Sequence, residues 1–322
     1  MNLVPLIIMS ALLVAAVYLD NTGTHIAAVS LGLAIAQGSI LLVAAAELSN
    51  AKWIKPLKKY LLSMVPLLFL FPFLVKLAPY AWLKHETAWL RADLFIARNM
   101  VALLVTAVIG WFYARYARAE KPASSTWAVV YILSFVVCQT LVAMDWTMSF
   151  DFPWISTMYP VLYMVEAFYA ALALLGIICY VLERAKPGST GGSLYDGATL
   201  LFGFSLFWGG LTFAQYLTIW YANIPEEVHY FTLRFGLPGG KALFAGTVAL
   251  LFIVPFCSLL IHKVRKSPCA YCFLAYIVLL GVFVSRLFQM LPHVHFDFGL
   301  MAIQTLAMLG AVAALVRGSL RE

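Results

Sequence analysis

The chain has 322 residues, of which 64% are hydrophobic and only 11% are charged, and its mean hydropathy is +0.93. A soluble protein of this length does not need so much apolar surface, so the composition predicts a polytopic, all-α membrane protein without a soluble domain. The net charge of +7 does not indicate nucleic-acid binding, because the cations lie in short loops beside apolar runs.

Ten apolar runs are long enough, or nearly so, to cross about 30 Å of hydrocarbon as helices. The first run has neither a basic region before it nor a cleavage site, so we expect a retained helix and not a removed signal peptide. Pro66 and Pro72 interrupt the third run, which predicts a kink. The expected spans are 3–19, 24–47, 59–80, 95–117, 126–148, 155–182, 198–221, 241–262, 269–290 and 298–317.

The loop charges predict the orientation of these helices. Fourteen of the 21 Lys and Arg residues follow even-numbered runs, five follow odd-numbered runs, and Arg98 and Arg286 lie within runs. Because short cytoplasmic loops collect basic residues, both termini are expected on the cytoplasmic side.

Glu166 is the clearest charge inside a predicted span. It lies eleven residues past Ile155, which places it roughly 17 Å into the membrane at about 1.5 Å per residue. Tyr159, Tyr163 and Tyr169 share its helical face. A carboxylate in hydrocarbon usually has a partner or a function, so this hydroxyl-lined group is suited to holding a proton. The plainer interpretation is a protonated glutamate that only joins neighbouring helices.

Other buried charges lie near helix ends. Asp145, Arg98 and Arg286 are expected near outer ends, where they either form a structural ion pair or surround a polar headgroup. Glu47 is expected at an inner end. Glu47, Glu166 and Asp145 thus occupy inner, middle and outer depths. They form the outline of a discontinuous proton path, although depth alone does not make them adjacent.

Two adjacent carboxylates follow the seventh run. Trp220 and Tyr221 mark the point where this helix leaves the bilayer, and Pro225 is expected to stop it. Glu226 and Glu227 come next, on the predicted outer side. They are interpreted as the outer end of a proton path, a constraint on the helix end, or a contact for an external partner.

The seventh run also carries a polar stripe. Ser205, Trp208, Thr212 and Gln215 recur on one helical face. Such stripes join helices more often than they line a conducting path, and both interpretations stay open.

No redox centre is predicted on this chain. All six histidines lie at predicted helix ends or in loops, away from the positions that haem ligands occupy between helices. The cysteine sets of iron–sulfur clusters and a phosphate-binding Gly-Lys-Ser/Thr loop are also missing from the sequence. The chain is therefore expected to supply no catalytic residue and no metal site, and any redox centres would lie on partners.

Three motifs carry a family resemblance. They are Phe204-Ser-Leu-Phe-Trp208 with Phe213-Ala-Gln-Tyr-Leu-Thr-Ile-Trp-Tyr-Ala-Asn-Ile-Pro-Glu-Glu227, Asp145-Trp-Thr-Met-Ser-Phe150 with Trp154-Ile-Ser-Thr-Met158, and Ala51-Lys-Trp53 with Lys58-Lys59. In order and spacing, residues 30–235 resemble the ActF-type subunits of alternative complex III, a bacterial quinol:electron-acceptor oxidoreductase. One departure is Asp151-Phe152-Pro153, where the family often has an acid, a proline and a histidine.

The resemblance implies an NrfD-like fold in a bacterial cytoplasmic membrane. Helices 2–5, about 24–148, would form one four-helix bundle and helices 6–9, about 155–290, a second, with helices 1 and 10 at the periphery. The implied partners are multihaem c-type cytochromes, an iron–sulfur/molybdopterin-type subunit that carries the clusters, a second NrfD-like subunit and membrane lipids. A quinone or a structural lipid is the only small molecule left open for this chain.

The leading hypothesis is a subunit of a quinol-oxidising respiratory electron-transport complex that docks partners and supports proton translocation. The expected proton path uses Glu47, Tyr163, Glu166 and Asp145, with Glu226 and Glu227 at the outer surface. One alternative is a quinone-binding subunit with Arg98, Asp145 and Arg286 around the headgroup. Another is a stand-alone secondary transporter. Transporters commonly contain internal repeats, and this sequence shows none, which argues against this alternative.

Overall fold

The computed structural model describes residues 4–321, and throughout this range the regular secondary structure is helical, with no strand. Eight of the described helices, α2–α6 and α8–α10, are long and apolar enough to cross a membrane, which confirms an all-α polytopic membrane protein. The helices of twelve or more described residues are α1 (Val4–Leu19), α2 (His25–Leu48), α3 (Ala92–Arg118), α4 (Ser124–Asp151), α5 (Met158–Ala185), α6 (Ser193–Ala222), α7 (Pro225–Gly236), α8 (Gly240–Leu259), α9 (Pro268–Met290) and α10 (Phe298–Leu320).

The third predicted helix does not form as one rod. Residues 58–74 fold into short α and 3-10 turns, and residues 75–80 are irregular. Pro66 and Pro72 cannot donate backbone hydrogen bonds and clash with the preceding turn, so they break the helix where the sequence predicted only a kink. The segment is largely buried, as irregular backbone at membrane depth must be. We call residues 58–80 the broken pass.

Two further boundaries differ from expectation. The first run was expected from position 3, which lies outside the described residues, and α1 has 16 residues, fewer than the roughly 20 that a straight span needs. At the other boundary, α6 ends at Ala222, but Pro225 begins α7 and does not simply stop the chain. Proline is well suited to the first helical position because that N–H has no partner within the helix.

Successive long helices run in alternating directions between two faces of the protein. On one face, named here the Glu47 face, Ser124 donates to Glu47 and Arg118 Nη2 donates to Leu62 O at 2.7 Å. On the other, the Asp151 face, Arg234 pairs with Asp151. Following the helices from these anchors places both ends of the described chain on the Glu47 face. Whether that face is cytoplasmic stays a prediction from the loop charges.

The centre of the protein is the contact between α2 and α5. The apolar window of α2 is buried along its whole length, and a Cβ on Gly38 would lie 2.0 Å from Ala167 O on α5. Glycine therefore allows the two backbones to touch. These two helices belong to different predicted bundles, and the structure packs them against each other, while α1 packs against α10.

The corner between α1 and α2 is held by Asp20. Its carboxylate accepts hydrogen bonds from Thr22 N at 2.7 Å and from His25 Nδ1 at 2.9 Å. Burial raises the pKa of Asp20, but the hydrogen bonds from His25 and Thr22 outweigh burial and hold that pKa well below its usual range.

Candidate functional site

A buried charge cluster lies where α5, α6 and α9 meet. Glu166 on α5 and Arg286 on α9 are both fully buried, with Arg286 Nη1 2.7 Å from Glu166 Oε2. Trp208 Nε1 on α6 donates to Glu166 Oε1 at 3.1 Å, and Ser285 Oγ donates to the same oxygen at 2.7 Å. With Gln289 and Tyr163, these residues form what we call the Glu166 cluster. It places one carboxyl group and one guanidinium side by side in the buried interior between three long apolar helices.

Hydrogen bonding in the Glu166 cluster is incomplete. Arg286 Nη1 donates to Gln289 Oε1 at 3.0 Å, and its Cζ lies 3.4 Å from the centre of the Tyr163 ring. Among the described residues, Arg286 Nε, Arg286 Nη2 and Glu166 Oε2 have no hydrogen-bond partner. Glu166 Oε2 is thus held by charge attraction alone. Buried donors without partners are costly, so this cluster retains capacity for water or for a moving proton.

The tyrosines near Glu166 have different roles from those expected. Tyr159, Tyr163 and Tyr169 are all buried, but within residues 4–321 none of their hydroxyls donates to the Glu166 carboxylate. Tyr163 stacks on Arg286, and Tyr169 donates to Leu251 O at 3.0 Å. Helix packing therefore surrounds the Glu166 carboxyl group with a guanidinium, an indole and a serine hydroxyl in place of the expected tyrosine hydroxyls.

A small cavity adjoins the Glu166 cluster on its Asp151 side. Its volume is about 30 Å³, and its polar lining includes Ser285, Gln289 and Gln215. The buried Tyr159 hydroxyl and Thr212 Oγ1 also line it and have no hydrogen-bond partner in the described chain. A water needs roughly 10–15 Å³ measured in this way, so the cavity has room for about two waters. It is far smaller than the roughly 300 Å³ or more of typical ligand pockets.

Beyond the cavity, toward the Asp151 face, is a second cluster of charges. Arg234 Nη1 and Nη2 bind the two carboxylate oxygens of Asp151 at 2.9 and 2.7 Å, and Arg234 Nε donates to Phe288 O at 3.0 Å. His293 Nε2 lies 3.0 Å from Asp151 Oδ1, and its side chain is 24% exposed. Tyr230 lines the cavity and also stacks against Arg234, with 3.8 Å between its ring centre and Cζ. The Asp151–Arg234–His293 cluster therefore connects the cavity to the surface.

This second cluster was missed in the sequence. Asp151 lies at the departure from the family motif, where a histidine was expected nearby. The structure brings His293 to Asp151 from the loop between α9 and α10, 142 positions away. A local motif contains no signal for that long-range contact. The sequence shows only that Asp151, Arg234 and His293 each lie near the end of a predicted apolar run.

Asp145 and Arg98 form a pair of their own. Arg98 Nε and Nη2 each lie 2.6 Å from an Asp145 oxygen, and Asn99 Nδ2 donates to Asp145 at 2.7 Å. The third guanidinium nitrogen donates to Trp89 O. In the described chain no hydrogen bond or ion pair joins Arg286 to this pair, because Arg286 is bound to Glu166. The three residues named for a headgroup site are thus divided between two clusters.

Glu47 lies at the opposite face, as expected, and is only partly buried. Tyr113 donates to Glu47 Oε2 at 3.0 Å, Ser124 donates to Oε1, and Lys58 Nζ lies 3.6 Å from Oε2. The Glu47 side chain, 18% exposed, thus combines two hydroxyl donors and a nearby ammonium group at this face.

From Glu47, two polar stripes lead toward the opposite face with a seven-residue spacing. On α3 and α4 this spacing places side chains on one helical face, because seven residues are close to two turns. Gln37 on α2 lies against α4, where Tyr131 donates to Gln37 O at 3.0 Å and Gln139 donates to Gln37 Oε1 at 2.9 Å. The stripes lead from Glu47 to Asp145 and bypass Glu166. Their members are Asn99, Thr106 and Tyr113 on α3, and Ser124, Tyr131, Cys138 and Asp145 on α4.

The adjacent carboxylates Glu226 and Glu227 occupy the first turn of α7 on the Asp151 face. Glu227 Oε2 accepts a hydrogen bond from Trp154 Nε1 at 3.0 Å, whereas Glu226 is exposed. Trp154 in turn stacks on Tyr230 with 4.2 Å between ring centres. Glu227 thus helps to position the aromatic residues above the cavity.

No protein-family model matches the chain, and no curated protein matches it. The resemblance to alternative complex III subunits therefore rests on the sequence motifs alone.

Proposed function

We propose that this chain is an integral membrane subunit of a quinol-oxidising respiratory electron-transfer complex of the alternative complex III type. In this proposal it binds no redox cofactor, docks the multihaem cytochrome, iron–sulfur and second NrfD-like subunits, and carries protons. Two features support the proposal: the long motif that ends in Ile224-Pro-Glu-Glu227 and the partly unpaired Glu166 cluster beside a small cavity that is lined in part by polar side chains.

The observation that carries the proton role is the unsatisfied bonding around Glu166. When Glu166 is ionised, Arg286 is held to it by charge. When Glu166 takes a proton, that attraction is lost, and Arg286 keeps only Gln289 and the face of Tyr163. Protonation therefore changes the balance of contacts around Arg286, which links proton occupancy to side-chain position without an external cofactor.

The proton leaves toward the Asp151 face in this scheme. Ser285 Oγ, which donates to Glu166, also lines the cavity and accepts a hydrogen bond from Gln289 Nε2 at 3.2 Å. Water in the cavity then reaches Tyr230 and the Asp151–Arg234–His293 cluster. Asp145, supplied by the α3 and α4 stripes, is the competing outer terminus. Glu226 and Glu227 lie at the surface beside the first exit.

Proton uptake is assigned to Glu47. The direct hydrogen bonds lead from Glu47 to Tyr113, and a further set joins Tyr131, Gln139 and Gln37. Transfer from Gln37 to the Glu166 cluster requires water, since Gln37 makes no hydrogen bond to a residue of that cluster in the described chain.

The test is Glu166→Gln in the assembled complex, with protons and electrons counted together in sealed vesicles. We expect the number of protons translocated per electron to fall, while assembly and quinol oxidation persist. Glu166→Asp, which keeps the charge, should retain part of the translocation. Asp93→Asn is the matched control, because Asp93 is an exposed carboxylate that pairs with Arg91 outside the cluster. An unchanged ratio of protons to electrons in Glu166→Gln would remove Glu166 from the path.

The quinone-binding alternative has less support from the geometry. Arg98 and Asp145 are already saturated by each other and by their neighbours, and the cavity beside Arg286 is water-sized. Photoaffinity labelling with a quinone analogue, mapped by peptide, separates the two functions. Labelling of peptides that contain Arg98 or Arg286 would favour the alternative.

A further inference from the structure

The start of α9 carries a pair of cysteines that the proposed proton path does not use. Cys269 and Cys272 are three positions apart in the first two turns of this helix, and both are free thiols. Because residues three apart share one face of a helix, the two thiols are neighbours. Cys269 is exposed, whereas Cys272 is buried. The other cysteines, Cys138, Cys179 and Cys257, lie on three different helices.

The segment just before the exposed thiol is basic. Lys263, Arg265 and Lys266 all lie within six positions of Cys269, at the Glu47 face. Reactive cysteines occur in partly exposed, electropositive surroundings, because the thiolate is the nucleophile. Cys269 therefore has the exposure and the surroundings of an attacking thiol. The burial of Cys272 suits a thiol that reacts only with its neighbour.

The helix holds the two thiols slightly farther apart than a disulfide allows. The Cβ atoms of helical residues three apart are separated by about 5–6 Å, whereas a disulfide needs roughly 3.5–4.5 Å. The first turn of α9 must therefore loosen before the bond can close. First turns have N–H groups without partners in the helix. Here Ala270 N is held by Ser267 Oγ at 3.3 Å, which is longer than the roughly 2.7–3.2 Å of most N–H···O bonds.

The next part of α9 is firmly anchored. Tyr271 is fully buried, and its hydroxyl donates to Leu172 O on α5 at 2.8 Å. Its ring also packs against Gly176 on α5, where an added Cβ would lie 2.6 Å from a ring carbon. Loosening of the first turn is thus confined to residues 268–270, ahead of this anchor, and leaves the contact between α5 and α9 in place.

We propose that Cys269 and Cys272 form a thiol–disulfide exchange site that reacts with small disulfides of the glutathione type at the Glu47 face. The Cys269 thiolate attacks one sulfur of the small disulfide and releases one small thiolate. Cys272 then loses its proton and displaces the second small thiolate from the mixed disulfide. The two cysteines are oxidised to one disulfide, and the small disulfide is reduced to two thiols that take up the two protons.

The loop charges predict this face on the cytoplasmic side. Cytoplasmic thiol pools keep such pairs reduced, so the dithiol is the resting form of the site and the disulfide forms when the pool becomes oxidised.

The test uses the full chain in mild detergent with whatever subunits stay bound. It is incubated with oxidised glutathione, quenched with acid, alkylated with N-ethylmaleimide and digested with trypsin, which leaves both cysteines in the peptide 267–286. We expect mass spectrometry to show this peptide two hydrogen atoms lighter and without alkylation. A peptide that stays fully alkylated, or one that carries two separate glutathiones, would overturn the proposal.

Two single variants check the order of attack. In Cys272→Ser, Cys269 should keep one glutathione as a stable adduct, since no second thiol displaces it. In Cys269→Ser, the buried Cys272 should form the adduct at least several-fold more slowly. Cys257, an exposed thiol on α8, is the control within each sample and should form only a mixed disulfide. Equal rates of adduct formation in the two variants would contradict the assignment of Cys269 as the attacking thiol.

Phenylarsine oxide tests the pairing without any substitution. Its trivalent arsenic binds two neighbouring thiols at once, so it should protect both Cys269 and Cys272 from alkylation while Cys257 stays reactive. An added small dithiol should reverse this protection. If the arsenical protects the pair but oxidised glutathione does not close it, the two thiols are neighbours without exchange activity, and the proposal fails.

Discussion

Two arginine–carboxylate pairs inside this protein differ in how completely they are satisfied. In Arg98–Asp145, two guanidinium nitrogens bind the carboxylate at 2.6 Å, the third donates to Trp89 O, and Asn99 adds a further donor. In Arg286–Glu166, one nitrogen contacts the carboxylate at 2.7 Å, and two have no hydrogen-bond partner in the described chain. The Arg98 side chain is 15% exposed, whereas Arg286 is fully buried.

The difference indicates which pair is structural. A buried charge pair is favourable only when its remaining donors and acceptors are also bonded. Arg98–Asp145 meets that condition and ties α3 to α4. Arg286–Glu166 does not meet it, and a water-sized cavity with a few polar side chains in its lining lies beside it. An incompletely bonded ionisable pair between apolar helices is by default a candidate functional site, so Arg286–Glu166 is the pair that we expect to act in function.

The largest effect should come from breaking the deeper pair. Arg286→Gln leaves the Glu166 carboxylate buried without a cation, a change that typically costs about 3–5 kcal/mol. We expect little folded protein, measured as the monodisperse fraction and the thermal midpoint in detergent. Adding Glu166→Gln removes the unpaired charge and should restore most of the stability. If the double variant is as unstable as Arg286→Gln alone, the charge balance of this pair does not explain its stability.

A smaller loss is expected at the outer pair. Asp145→Asn leaves the Arg98 charge unpaired, but Arg98 is partly exposed and water can solvate it, so we expect a loss of about 1–3 kcal/mol. If the pair is structural, the number of protons moved per electron should not change in the folded fraction. A drop as large as that of Glu166→Gln would instead make Asp145 the outer terminus, and the comparison between the two pairs would fail.

The sequence predicted the placement of most helices because long apolar runs in lipid have few alternatives to helix. It also placed Glu166 inside a long apolar helix, where the structure buries it completely, whereas its depth in the membrane stays a prediction. The partner of Glu166 could not be predicted, since Arg286 lies 120 positions later and its contact depends on how α9 packs against α5. The broken pass shows a different limit. Two prolines indicated a disturbance, but only the packing around residues 58–80 decides whether a helix kinks or divides.

Some site features were readable from the sequence and were missed. The polar residues of α3 and α4 repeat every seven positions up to Asp145, a spacing that keeps them on one face. The seventh-run stripe was noticed, and Trp208, Thr212 and Gln215 do line the cavity. Asp151 and His293 were not joined, because no periodic pattern connects a helix end to a distant loop.

At the Asp151 face, where the proposed proton path from Glu166 reaches the surface, a substitution should affect proton release more than stability. His293→Gln removes a ring that contacts Asp151 and stacks on Phe150. Because the ring is partly exposed, we expect a stability loss of about 1 kcal/mol. Proton release during quinol oxidation should slow several-fold, as measured with a pH indicator on the Asp151 side. His229→Gln, at an exposed histidine on α7, is the control. Equal release rates in the two variants would move the exit away from the Asp151 cluster.

The smallest effect should distinguish the two adjacent carboxylates on α7. Glu227→Gln weakens a hydrogen bond from Trp154 at 3.0 Å, yet the amide oxygen still accepts, so a loss of about 0.5–1 kcal/mol is expected. Glu226→Gln changes an exposed side chain and should stay within about 0.5 kcal/mol. Thermal unfolding of both variants measures this difference, and Trp154 fluorescence should shift only in Glu227→Gln. If instead Glu226→Gln alone releases a co-purifying cytochrome, Glu226 binds an external partner and the two carboxylates have separate roles.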